Sequence, residues 1–229
     1  AHREATDSPE NIRRFEFMKA KLVGFIMTRA QTLARYPTTD TSQPARYARA
    51  VAYYRDSDLE RARGELNSLI AEDGNNPYYQ ELMGQILFEN GRAAESVPYH
   101  RRSLELAPRQ PLLQVNLARA LTAANGRQGA DEAVEILQDV VAREPDNAFA
   151  WRELASARDL RGEQGLAELA SAEQNFAVGD FGAAVNFAER ARRSLPRNTP
   201  SFQRASDIVT FSGNELRERE GQQRGRRRS

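Results

Sequence analysis

The sequence predicts an all-α fold, a solenoid of stacked helical hairpins, and three observations support this prediction. Apolar residues recur at helical spacing in short segments along the chain. Gly, Asn and Pro separate these segments, as expected for turns between helices. Small residues recur at a fixed interval within the segments. Together these features indicate one two-helix unit that is repeated along the chain.

The stretch Asn76–Pro108 shows this unit most clearly. Its first predicted helix has an apolar face (Tyr79, Leu82, Met83, Ile86, Leu87), and the second is marked by Val97, Leu104 and Leu106. Asn90 and Gly91 predict the turn between them, because glycine adopts a left-handed conformation at low cost. Gly84 and Ser96 are small residues at the expected crossing point, where they let two helix backbones approach closely.

The same kinds of residue recur at one period. Steps of 34 residues lead from Ala50 through Gly84 to Ala118, from Ala62 to Ser96 and from Gly74 to Pro108. The next step is 37 residues for all three markers, leading to Ala155, Ala133 and Pro145. One three-residue insertion explains the common shift, and we place it in a loop at 124–129. A 34-residue helix-turn-helix period resembles the tetratricopeptide (TPR) repeat, whose hairpins stack as a right-handed superhelix. Trp151, Leu154 and Ala155 also resemble the first-helix signature of that family.

Before the repeats, Ser8-Pro9 predicts the start of an extra N-terminal helix that runs to about Arg35. Its apolar stripe comprises Phe15, Met18, Leu22, Phe25, Ile26, Met27 and Leu33. We expect this stripe to pack on the first repeat, the alternative being a membrane-surface role. The linker 36–43 completes an N-terminal segment, 1–43, of which residues 1–8 are expected to be partly ordered.

We expect about four to five helical units over residues 44–212. The first contains helices at Pro44–Arg55 and Leu59–Glu72. In the second, Pro98 should kink the second helix or lie in its first turn. The third runs from Pro111 to Glu144 and the fourth opens at Asn147–Gly162. Either helix Gly165–Val178 serves two units at once or one helix is absent. Further helices follow at Gly179–Pro196 and Ser201–Phe211, and the Arg-rich residues 213–229 form a predicted disordered tail.

The composition narrows the function classes. The formal net charge is +1, so we expect no nucleic acid partner for the chain as a whole. The absence of cysteine excludes disulfides and thiolate chemistry. No apolar run approaches the roughly 18 residues of a membrane span, and no signal peptide is seen. The chain begins with Ala1 rather than Met, which favours a processed or excised fragment.

The sequence contains no pattern that predicts catalysis. The two histidines, His2 and His100, lack metal-ligand spacing, and HExxH and phosphate-binding glycine motifs are absent. We expect His100 to be a packing or surface residue. The prediction is therefore a chain with no catalytic residue, no metal site and no cofactor.

Repeat geometry predicts instead a concave groove lined by the first helix of each unit. Aromatic, arginine and amide side chains there suit the capture of a protein or peptide. The Lys/Asn pair with which some TPR proteins clamp a C-terminal carboxylate is replaced by Tyr47 and Val51. The predicted groove residues are Tyr47, Val51, Tyr54, Tyr78, Glu81, Gln85, Phe88, Leu112, Asn116, Arg119, Phe149 and Arg152.

Longer strings at 7–26, 45–62, 76–92 and 144–196 carry a more specific resemblance. In order and spacing they resemble the C-terminal TPR region of bacterial periplasmic zinc metalloproteases of peptidase family M forty-eight (BepA-like). The most specific pieces are FENGR at Phe88–Arg92 and LAELASAE at Leu166–Glu173. The likeness covers about Asp7 to Ile208.

This resemblance implies a parent protein with an N-terminal protease domain, an HExxH zinc site and a periplasmic location. Zinc would belong to that domain alone, so no catalytic residue is carried over to this chain. The implied partners are the outer-membrane assembly machinery, misassembled substrates and the parent protease domain. The alternatives are a free-standing TPR scaffold in envelope or secretion assembly, and RNA or anionic-membrane binding through the Arg-rich tail. The sequence leaves the oligomeric state open.

Overall fold

The computed structural model describes residues 8–226, and every regular element within that range is an α-helix. The predicted all-α, TPR-like fold is confirmed. The helices form two compact units, divided between Pro108 and Arg109. The first unit contains α1 Pro9–Ile26, α2 Arg29–Arg35, α3 Gln43–Arg55, α4 Leu59–Glu72, α5 Pro77–Glu89 and α6 Ala93–Leu106. The second contains α7 Pro111–Arg143, α8 Ala148–Arg161, α9 Gln164–Ala177, α10 Phe181–Ser194 and α11 Pro200–Arg226.

Two hairpins, α3–α4 and α5–α6, form the body of the first unit. The side chains of Ser42 and Asn76 accept hydrogen bonds from backbone N–H groups at the starts of α3 and α5. In the second hairpin the helices approach closely at Gly84, where an added Cβ would lie 2.8 Å from Cε1 of His100. The sequence predicts a packing or surface role for His100, and its burial in this contact makes it a packing residue.

Pro98 lies inside α6 and not in its first turn, since α6 begins at Ala93. Proline has no N–H group, so the bond that this position would donate within the helix is missing. The helix nevertheless continues to Leu106. Helix α6 packs against α5, and tertiary packing contributes more to helix stability than local propensity does.

The prediction of one helix from Pro9 to Arg35 is wrong, because the helix is interrupted at Met27. Met27 is extended, with ψ of 157°. Thr28 then starts α2 with a capping box, in which its hydroxyl accepts from the Gln31 N–H and Gln31 accepts from the Thr28 N–H. The T-x-x-Q pattern was the sequence signal for this second helix start.

The face of α1 that packs on the repeats also differs from the predicted one. Phe17, Ala20, Val23 and Gly24 lie against α3, and a Cβ at Gly24 would lie 2.7 Å from the Ala48 carbonyl oxygen. Four members of the predicted stripe remain exposed, so the expectation that they pack on the first repeat is wrong. These are Phe15, Met18, Leu22 and Ile26.

In the second unit, the element α7 consists of two helices that form a hairpin. The chain reverses direction between them at a single residue. Gly126 has φ 53° and ψ −127°, whereas residues 111–125 and 127–143 are helical. The loop predicted at 124–129 is therefore replaced by a break at Gly126. Gln114 donates a hydrogen bond to Asp139 across the two halves, 3.0 Å apart, which shows that they run side by side.

Helix α9 packs against both α8 and α10, which decides between the two alternatives for 165–178. This helix serves two neighbouring hairpins, so no helix is missing.

Helix α11 packs on α9 and α10 but runs to Arg226 and does not end near Phe211. The prediction of disorder is thus wrong for 213–226, while 227–229, residues 1–7 and therefore His2 lie outside the described residues. Among the helices of residues 8–226, none combines the length and the hydropathy of a membrane-spanning segment.

Candidate interaction surface

The twelve predicted groove residues belong to the first helices of the hairpins in both units. Those of the first unit lie on α3 and α5, and those of the second unit on the first half of α7 and on α8. The first set is Tyr47, Val51, Tyr54, Tyr78, Glu81, Gln85 and Phe88, and the second is Leu112, Asn116, Arg119, Phe149 and Arg152.

Tyr47 and Val51 are not available to a partner in this structure, because α1 covers them. Both are 1% exposed or less. The Phe17 ring of α1 lies 6.2 Å from the Tyr47 ring and 5.8 Å from the Tyr79 ring, centroid to centroid. Burial raises the pKa of the Tyr47 hydroxyl well above its ordinary value, so the group stays neutral. The predicted exposure of Tyr47 and Val51 on a groove is therefore wrong.

Lys21 of α1 makes polar contacts with the same surface. Its Nζ lies 3.4 Å from a carboxylate oxygen of Glu81 and 5.5 Å from the centroid of the Tyr78 ring. The Glu81 side chain is 6% exposed, so the lysine neutralises a carboxylate that has little contact with water. Tyr78 itself is half exposed. Helix α1 thus occupies much of the face for which the sequence predicts a partner.

Tyr54 and Gln85 form a polar cluster at the ends of α3 and α5. The Gln85 amide donates to the Tyr54 hydroxyl at 3.0 Å, and the hydroxyl donates to the Glu89 carboxylate. Burial and the hydrogen bond to Glu89 both raise the pKa of Tyr54. Tyr54 and Glu89 line an open pocket of about 430 Å³ together with Phe25. Phe88, the last predicted residue of this unit, is partly exposed.

In the second unit the structure brings three predicted residues together. The guanidinium carbons of Arg119 and Arg152 lie 5.2 and 4.9 Å from the centroid of the Phe149 ring. Glu153 links the two arginines, with nitrogen–oxygen distances of 3.6 Å to Arg119 and 2.8 Å to Arg152. Leu112 is 55% exposed and Asn116 is partly exposed on the same half of α7 as Arg119. We call Leu112, Asn116, Arg119, Phe149 and Arg152 the arginine–aromatic face.

This arrangement has the chemistry of a binding surface. A partly exposed aromatic ring between two arginines can bury a large area at low entropic cost, and the arginines can pair with carboxylates. Among the described residues no group of three His, Cys, Asp or Glu side chains is placed to hold a metal ion. Sequence reasoning missed Lys21, Glu89 and Glu153. The sequence held a signal for the two glutamates. Glu89 lies four residues after Gln85, and Glu153 directly follows Arg152.

A comparison with curated proteins supports the resemblance inferred from the sequence. The chain is 28% identical over 134 residues to the "Beta-barrel assembly-enhancing protease" of Yersinia pestis. The predicted resemblance to BepA-like proteases is confirmed. The match covers 58% of this chain and 27% of that protein, so the chain spans about a quarter of the length of the curated relative. No protein-family model matches the sequence.

Solved structures show the same fold at low sequence identity. MamA from AMB-1 superposes with a TM-score of 0.58 at 18% identity, over 78% of this chain and 98% of that one. PilW, a type IV pilus biogenesis factor, superposes with a TM-score of 0.53 at 18% identity, over 86% of this chain and 98% of that one. Yeast Tom70 gives 0.54 at 13% identity, over 94% of this chain and 45% of its own. These likenesses establish a TPR-like fold.

Proposed function

We propose that this chain is a non-catalytic protein-binding module, the TPR part of a periplasmic zinc metalloprotease that acts in outer-membrane protein assembly. The similarity to a β-barrel assembly-enhancing protease supports the assignment to such a parent. The arginine–aromatic face supports the binding role, and the placement of Arg119 and Arg152 against Phe149 is the observation that carries it. The parent's zinc would be held by its protease domain.

The face favours a ligand segment that has both an apolar and an acidic side chain. The apolar group would lie on Leu112 and the Phe149 ring, and a carboxylate would pair with Arg152, whose side chain is 56% exposed. Arg119 is less exposed, at 30%, and is held by Glu153, so we assign it the role of orienting the Phe149 ring. Polypeptides of an unassembled β-barrel protein offer such segments.

The test is binding of the full chain to a fluorescently labelled outer-membrane β-barrel protein that is kept unfolded by dilution from urea. We expect Phe149→Ala and Arg152→Ala each to weaken binding about tenfold, as for residues at the centre of an interface. Arg197→Ala removes an exposed arginine from the turn after α10 and should leave the affinity unchanged. Absence of binding by the wild type, or equal affinities of all three variants, would contradict the proposal.

A further inference from the structure

The outward side of α1 carries five large apolar side chains that the repeats do not cover. Their exposed fractions lie between 52% and 76%, whereas Phe17, Ala20 and Val23 on the opposite side pack against the first unit. We call these five residues the outer stripe. They are Ile12, Phe15, Met18, Leu22 and Ile26.

The outer stripe is large enough to form a specific interface. Side chains of this size that are at least half exposed leave together roughly 500 Å² of apolar surface on one copy. A patch of about that area is typical of the largest, functional patch on a monomer. Two such surfaces in contact would bury about 1,000 Å², which is the lower limit for a specific protein interface.

The order of the residues in the stripe suits contact with a second copy of itself. The stripe has an isoleucine at each end and a methionine in the middle, and a large apolar residue, Phe15 or Leu22, lies between the middle and each end. The order of residue types is therefore similar in both directions. In an antiparallel pair whose two-fold axis lies between positions 18 and 19, Phe15 is level with Leu22 of the other copy. Ile12 and Ile26, and the two Met18 residues, are then offset by about 1.5 Å along the helix, which is one residue. A two-fold axis requires such self-complementarity, since the same surface serves both partners. Methionine is unbranched and adaptable, which suits a residue that meets its own symmetry copy.

The charges beside the stripe are compatible with this pairing. Lys19 lies at the edge of the stripe, where its Nζ is 5.9 Å from the centroid of the Phe15 ring and 3.4 Å from a Glu16 carboxylate oxygen. In an antiparallel pair each Lys19 comes within about one helical turn of the other copy's Glu16. Opposite charges then flank the apolar seam on each copy.

We propose that the outer stripe is the seam of a homodimer, in which two α1 helices pack antiparallel about a two-fold axis near Met18. The 3–4 residue spacing of the stripe is that of helices that pack along a shallow crossing angle. This proposal goes beyond the binding of partners by the second unit. It uses a different helix, and its failure would leave the proposed function untouched.

The cysteine-free sequence allows a direct test of both the contact and its direction. A disulfide requires Cα atoms within about 7 Å, so single cysteines report which positions meet. Under mild oxidation we expect Met18→Cys to form a covalent dimer. Ile12→Cys alone should not, but should cross-link to Ile26→Cys when the two proteins are mixed. Asn67→Cys, exposed on α4, is the matched control and should stay monomeric.

The mass in solution provides the second measurement. At about 50 μM the wild type should have twice the chain mass of 25.8 kDa. Phe15→Glu/Leu22→Glu should be monomeric with unchanged helical circular dichroism, since both side chains are exposed in the single chain. A wild-type monomer, a parallel pattern in which Ile12→Cys links to itself, or binding of the stripe only to anionic lipid vesicles would overturn the proposal.

Discussion

Gly129 permits the tight reversal of α7, since no larger residue fits between its two halves. A Cβ at this position would lie 2.0 Å from the carbonyl oxygen of Leu121, which belongs to the preceding half of the helix. Because that oxygen is part of a helical backbone, it cannot move away without disrupting the turn. Gly126, which has φ of 53°, provides the left-handed residue and Gly129 the close approach.

We therefore expect Gly129→Ala to lower the free energy of unfolding by about 3 kcal/mol, the upper range for overpacking a core. Gly64→Ala is the matched control, since a Cβ there has nothing within 4 Å in the middle of α4. This control should raise the stability by about 0.5–1 kcal/mol through helix propensity. Urea unfolding of the three proteins measures both changes, and a neutral Gly129→Ala would refute the close approach.

At the scale of the single element, α1 docks on the first unit through both apolar and charged contacts. The aromatic contacts of Phe17 anchor its middle, while Lys21 neutralises the nearly buried carboxylate of Glu81. If the lysine is removed, the carboxylate loses its counter-charge while it remains shielded from water. The desolvated, unpaired charge lowers the free energy of unfolding. This loss disappears when the carboxylate is replaced by a neutral group as well.

Lys21→Met should therefore destabilise the protein by about 1–2 kcal/mol, and the double variant Lys21→Met/Glu81→Gln should recover most of this loss. Lys19→Met removes the only other lysine, whose pairing with Glu16 is exposed. At a protein concentration low enough for the chain to be monomeric, it should change stability by less than about 0.5 kcal/mol. Thermal unfolding measures the cycle, and hydrogen exchange of α1 locates the effect. Equal losses for both lysine variants would argue against the Glu81 contact.

Element boundaries followed from the sequence where a local signal existed. Asn147 and Gly162 predicted both ends of α8, because the asparagine caps the first turn and the glycine adopts φ of 79°. The predicted end of the last helix near Phe211 is wrong, because the polar residues 213–226 continue α11 and Glu and Arg are good helix formers. Glu and Arg suit a solvated helix as well as an unfolded segment.

At the scale of the whole molecule, the repeat period predicted the fold but not which faces are covered. A period fixes the hairpins, because each hairpin buries its helices against the next. It says nothing of a helix outside the repeats, and α1 covers Tyr47 and Val51, which repeat alignment places on the open side. The face in the second unit was easier to predict, since Phe149, Arg119 and Arg152 lie on repeat helices alone.

Acid stability is a whole-molecule property here, because depressed carboxyl pKa values occur in both units. Backbone and side-chain hydrogen bonds from Ser42 lower the pKa of Asp40, and hydrogen bonds from Arg46 and Gln43 lower that of Glu72. In the second unit, hydrogen bonds from Gln114 and then Arg143 lower the pKa of Asp139. A carboxyl with a lowered folded pKa stabilises the fold above its unfolded pKa, and that contribution is lost as the pH falls through the folded value.

We therefore expect the thermal midpoint to be constant near neutral pH and to fall below about pH 4, where unfolded carboxyl groups begin to bind protons. Asp139→Asn should unfold at a lower temperature than the wild type at about pH 7, and the two curves should converge near pH 2, where the native carboxyl is also protonated. Asp146→Asn, at an exposed turn position, should follow the wild type throughout. A difference for Asp139→Asn that persists undiminished at pH 2 would mean that the loss comes from altered packing and not from the hydrogen-bonded charge.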